Sequence, residues 1–136
     1  MCLPLRNRKG FTLVELAVVI VIIGVLAAFG VPRFREAVER SKAGEAFNYL
    51  SAIRSAHERY HSRNGEYTTV LSGLDINFPD PKYFHINDTT AGEADWSLSL
   101  DRTGKSAGYG PYVVRFTEMG YQTDSNIPAT INPMTR

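Results

Sequence analysis

From Leu16 to Val31 the chain carries no charged residue, and this run follows a segment containing Arg6, Arg8 and Lys9. Counted from Phe11 the apolar stretch is about 21 residues, close to the ~20 that a helix needs to cross a bilayer. That length takes the stretch out of any soluble core. The cationic cluster before it is expected to keep the N-terminus on the cytoplasmic side. One carboxylate, Glu15, lies near the start of the apolar run, where an ionised group costs roughly 2–3 kcal/mol or more. A residue that expensive is expected to have a use, or a partner for its charge.

The 136 residues support one domain, and about a hundred remain outside the apolar segment, enough for a modest core but not for a multidomain enzyme. The formal net charge is +1, and removing the three cations of the first ten residues leaves −2. A body without basic excess argues against a phosphate-tracking groove, so no specific nucleic-acid partner is expected. The only cysteine is Cys2, which leaves no thiol for disulfides, catalysis or metal binding in the rest of the chain. A cleaved secretory signal would start in the same way, and Ala28-Phe29-Gly30 offers small residues for its peptidase. Its apolar region is usually nearer 7–15 residues, so an uncleaved anchor fits better.

Small residues punctuate the span: Ala17, Gly24, Ala27, Ala28 and Gly30. They let neighbouring helices approach closely, which suits a helix that packs against copies of itself. Gly30 followed by Pro32 predicts a local weakening or kink of the helix around residues 24–32. Beyond it, Phe34, Val38, Ala46, Phe47, Leu50, Ile53 and Tyr60 recur mostly at three- and four-residue steps, giving an amphipathic helix. Glu36 and Arg40 have the spacing of a helix ion pair. Asn64-Gly65 marks the helix end.

Residues 66–94 read as a long irregular connection, tacked onto the helix by Tyr67, Leu71, Leu74, Ile76 and Phe78. Strands are predicted at Trp96–Leu100 and Tyr112–Glu118, with Asp101–Lys105 as a turn between them and a short third strand at Tyr121–Thr123. Ile127 onward reads as an extended tail. The predicted fold class is α+β, a long N-terminal helix on a small antiparallel sheet.

The junction Gly10, Phe11, Thr12-Leu13-Val14, Glu15 resembles the N-terminal processing motif of the type IV filament proteins, the pilins and the pseudopilins of type II secretion. Ala28-Phe29-Gly30-Val31-Pro32-Arg33-Phe34 is similar to the segment where that family's helix is interrupted by proline. The resemblance covers about the first 35 residues. It implies a leader at 1–10, a membrane and assembly helix at 11–32, and a periplasmic or extracellular globular domain at 33–136. It further implies cutting after Gly10 by a prepilin peptidase, methylation of the new amine of Phe11, and pairing of Glu15 with that amine on a neighbouring subunit. The product would be a filament subunit, not an enzyme. It would start as a single-pass protein of the cytoplasmic membrane and be polymerised by an inner-membrane platform and an ATPase. A type IV pilus-like filament is the main expectation and the major pseudopilin of type II secretion the alternative. The short C-terminal region leans toward the pseudopilin size class, and the lack of a C-terminal cysteine pair suits a pseudopilin or a cysteine-free pilin.

A reading of a different class is a membrane-anchored zinc hydrolase, because His57-Glu58-Arg59-Tyr60-His61 matches H-E-x-x-H. Asn64 stands where the extended form of that motif needs glycine, His85 is the one histidine left, and the chain has little mass for a cleft. A solvated helix end is the preferred expectation for these residues. Asp75, Asn77, Asp80, Asn87 and Asp88 are oxygen donors of the kind calcium takes, and major pseudopilins carry such a loop site. Their spacing here defines none, so turn chemistry is expected and no cofactor is assigned.

Overall fold

The computed structural model describes residues 10–135, so Cys2 and the cations Arg6, Arg8 and Lys9 lie outside the described residues. One helix, α1 (Leu13–Asn64), is followed by a single 3₁₀ turn at Leu71–Gly73. Five strands come after it: β1 (Phe84–Ile86), β2 (Thr90–Ala91), β3 (Trp96–Arg102), β4 (Val113–Thr117) and β5 (Gly120–Tyr121). Every pairing is antiparallel, in the order β1-β3-β4-β5, with β2 also paired to β3. This is the predicted α+β architecture. The chain divides into two compact units, one ending at Phe34 and the other beginning at Arg35.

In the first unit the large apolar side chains are exposed, from Leu13 at 83% through Ile20 at 68% to Phe29 at 74%. By length and composition α1 is able to cross a membrane. The interruption expected at Gly30 and Pro32 is not a break, since residues 24–34 are helical throughout with Pro32 inside. The physical reason is that proline removes one intrahelical donor, leaving the carbonyl of Ala28 without its usual partner, while the bonds on either side continue the helix. Gly65 ends it as anticipated: its φ of +80° is a left-handed conformation, and its N–H donates to the His61 carbonyl at 2.8 Å.

The second unit is built on the apolar face of α1. Ala43, Ala46, Leu50, Ile53 and Ala56 are fully buried and follow the helical period. Phe34 and Val38 do not belong to that face; they are 70% and 36% exposed, and burial begins at Glu39. Along β3, Trp96, Leu98, Leu100 and Arg102 are buried while Ser97, Ser99 and Asp101 are half-buried, the period-two alternation of a strand with one face on the core. Phe47 joins helix to sheet edge-on against Phe116 at 5.7 Å and tilted on Tyr121 at 5.3 Å.

Four expectations are corrected here. The connection after the helix holds β1 and β2, and it is held down by Glu45, whose carboxylate accepts the backbone N–H groups of Lys82 and Tyr83 at 2.9 and 3.0 Å. β3 runs on through Asp101 and Arg102, which were expected in a turn. The supposed tail folds back: Ile127, Ile131 and Asn132 are buried, and Thr135 offers its carbonyl to Arg40 at 3.3 Å. Arg40 therefore bonds with the C-terminal segment, and no Glu36–Arg40 pair forms among the described residues.

Candidate functional site

Gly10 and Phe11 precede the first turn of α1, and both are exposed, Phe11 at 84%. Thr12 is the N-cap. Its hydroxyl accepts the Glu15 N–H at 3.2 Å, and the Glu15 carboxylate reaches back to accept the Thr12 N–H at 2.7 Å. This reciprocal arrangement is a capping box, which satisfies two helix N–H groups that have no partner within the helix. The Thr-x-x-Glu spacing that signals it stands in the sequence at 12–15. Reading Thr12 only as part of a processing motif missed its role. Glu15 thus has a donor inside its own chain.

Geometry also says what a cut after Gly10 would do to the box. The bond removed joins Gly10 to Phe11, so the amide N–H of Thr12 stays a peptide N–H and the box is kept. The new positive amine of Phe11 would stand one residue before it, at a helix N-terminus that already favours negative charge at Glu15.

A second constellation, not foreseen, sits where α1 meets the sheet. Glu39 is fully buried and Arg102 is 7% exposed. Arg102 donates from Nε to Glu39 Oε1 at 2.6 Å and from Nη2 to Oε2 at 3.2 Å. Tyr112 donates its hydroxyl to the same carboxylate at 3.1 Å, and Lys42 Nζ approaches it at 3.5 Å. The remaining guanidinium hydrogens go to the carbonyls of Tyr83, Thr103 and Lys105. Burial pushes the Glu39 carboxyl up, but the bonds from Arg102 and Tyr112, with the charges of Arg102 and Lys42, hold it below its ordinary value. Burial and the adjacent Glu39 charge raise the Tyr112 hydroxyl.

The H-E-x-x-H residues are a solvated helix end only in part, with Glu58 and Arg59 exposed and Tyr60 and His61 half-buried. His57 is fully buried and lies flat against Trp96, ring centroids 4.5 Å apart and planes 17° apart. His61 stacks instead on Tyr67 at 4.4 Å, with Nε2 3.1 Å from the Glu93 carbonyl. The two rings share a helix face and both touch Tyr67, His57 edge-on at 5.9 Å and His61 stacked, but His57 also lies on Trp96. Among the loop oxygen donors, Asp75 is taken up by Arg59 at 2.9 Å and Arg63 at 3.3 Å. Asp80 accepts the Tyr49 hydroxyl at 3.5 Å, and Asn87 bonds with Ser99.

Comparison with known proteins places these features. Residues 5–31 match the model of the prokaryotic N-terminal methylation motif. The fimbrial protein EcpC of Eikenella corrodens is 47% identical over 102 residues, 74% of this chain and 65% of that protein. The type IV major pilin protein PilA of Myxococcus xanthus is 44% identical over 106 residues, 76% of this chain and 47% of that protein. The type II secretion system core protein G of Aeromonas hydrophila is 39% identical over 76 residues, 54% of this chain and 53% of that protein. The chain thus spans about half to two thirds of the length of these relatives. A motif that runs from the leader into the apolar helix, and identities over about three quarters of the chain to two of these relatives, lead to one conclusion: the chain belongs to the type IV pilin and pseudopilin family.

Proposed function

We propose that the protein is a structural subunit of a type IV pilus-like filament, polymerised through α1 after its leader is removed. The observation that carries this reading is the junction itself: an exposed Gly10-Phe11 bond, a capped helix start, and then a helix whose apolar side chains are uncovered over the whole first unit. Cutting there leaves the apolar segment attached to the folded unit, so the membrane span becomes the assembly element. A prepilin peptidase would cut after Gly10 and methylate Phe11. An inner-membrane platform and its ATPase would then draw the subunit out of the membrane into a filament.

In the free subunit the Thr12 amide holds Glu15. In the filament the Phe11 amine of a neighbour supplies a full charge in apolar surroundings, where a paired carboxylate is far less costly than an isolated one. Assembly sets register at the point where that pairing occurs. Gly30 and Pro32 are the place where the helix would yield on packing, because Ala28 lacks its usual donor there. Identity to EcpC and PilA covers about three quarters of the chain and identity to core protein G 54%, which supports the pilus reading, although a further fimbrial relative covers 51% and leaves the major pseudopilin as the alternative.

The test is substitution at the junction. Gly10→Leu should leave a membrane-held precursor about ten residues longer than the processed chain, a length difference that gel mobility resolves. Glu15→Ala should be processed normally yet yield few or no filaments in the sheared fraction. Abundant filaments from that variant would refute the pairing.

A further inference from the structure

The core contains one ionisable ring to which assembly assigns no task. His57 is fully buried, and neither of its ring nitrogens has a hydrogen-bond partner among the described residues. It lies stacked on Trp96 of β3 and edge-on to Tyr67 at 5.9 Å, between helix and sheet. Trp96 Nε1 is likewise buried without a partner, so this contact is held by ring faces alone.

We propose that His57 is an acid-sensitive lock between α1 and β3: neutral, it seals the helix onto the sheet, and charged, it forces the two apart. A protonated ring in this position would carry two N–H donors and a positive charge with no acceptor, and an uncompensated buried charge is not tolerated. The charged and titratable groups next to it along the chain are Arg54, Glu58, Tyr60 and His61 on α1 and Glu66 just after it, while Tyr67 lies edge-on to the ring, Asp95 precedes Trp96 and Glu118 reaches the Trp96 backbone. Each is committed elsewhere or held off. Arg54 donates to the Glu118 carbonyl, Glu58 accepts the Tyr67 hydroxyl, His61 stands by the Glu93 carbonyl, and Glu118 accepts the Trp96 backbone N–H at 3.5 Å. Glu66 and Asp95 are exposed. None bonds to the ring, so charging it is relieved only by letting water in, which means parting helix from strand.

Burial pushes the ring down to about 4 from an ordinary value of 6.5. With the folded value below the unfolded one, the stabilisation is complete above pH 6.5 and is lost as pH falls from 6.5 towards 4. Glu39 and Asp75 are held below their ordinary values of 4.5 and 3.8 by their cationic partners, so their contributions fade at more acid pH than the upper part of this window.

The experiment is urea unfolding of the full chain in detergent micelles at pH 7.5, 6.5 and 5.5, followed by fluorescence of Trp96, the only tryptophan. The folded-to-unfolded ratio should fall roughly ten-fold from pH 7.5 to 5.5, and His57→Phe, which keeps the stacking, should abolish that fall. A parent without the fall, or a variant with the same fall, overturns the proposal. Should His57→Phe not fold, ring proton shifts of the parent decide. A His57 resonance titrating well below its ordinary value, in step with the Trp96 signal, supports the lock. Ordinary titration without a Trp96 response contradicts it.

Discussion

Glu15 and Glu39 are two carboxylates on one helix with opposite settings. Glu15 sits at an exposed helix start, answered by the Thr12 amide, and its donor can be exchanged for another without disturbing any core. Glu39 is sealed under Arg102 and Tyr112 and has no freedom to exchange. Removing one partner of a buried pair strands the other, so Arg102→Leu should destabilise the folded unit by about 3–5 kcal/mol in urea unfolding. Adding Glu39→Met to that variant should recover most of the loss, because two apolar side chains leave no charge uncompensated. Glu39 contributes to stability above pH 4.5 and loses that contribution as pH falls from there through its lowered folded value, acid of the upper part of the His57 window. At the N-cap, Thr12→Val should weaken filament yield without blocking processing, a smaller effect than Glu15→Ala, which removes both the cap and the charge. Yield in sheared fractions ranks the three chains.

At the scale of elements, legibility followed the length of the pattern. α1 repeats its apolar face over several turns, and its end carries a residue suited to left-handed backbone, so both could be read directly. Gly65→Ala places a side chain at φ +80°, where nothing lies within 4 Å; strain alone should lower stability by about 1–2 kcal/mol in thermal or urea melts. β3 showed its alternation, but its last two residues look like a turn in Asp101-Arg102-Thr103-Gly104. What makes Arg102 a strand residue is Glu39, 63 positions away, and no local pattern carries that. β1 and β2, with three and two residues, are too short to show a period. They exist because β3 offers an edge on which to pair. Pro32 taught the converse: one missing donor inside a long helix leaves the assignment helical. Pro32→Ala should be processed as the parent is but assemble less well, if yielding at this point is needed for packing.

For the molecule as a whole, the junction at 10–15 was legible because its chemistry is local: a small residue, an aromatic, a capped helix start and one acid. The His57–Trp96 and Glu39–Arg102 contacts were hidden because each joins elements distant in the chain. H-E-x-x-H shows the hazard of reading such a pattern locally, since burial gave its first histidine an apolar task. The central claim is that the apolar helix survives processing and becomes the assembly element. The most direct measurement is mass spectrometry of the N-terminal peptide from filaments sheared off cells expressing the full chain. The account predicts a peptide that begins at Phe11 with a methylated amine. Filaments whose subunits keep residues 1–10, or begin beyond the apolar helix, would contradict it.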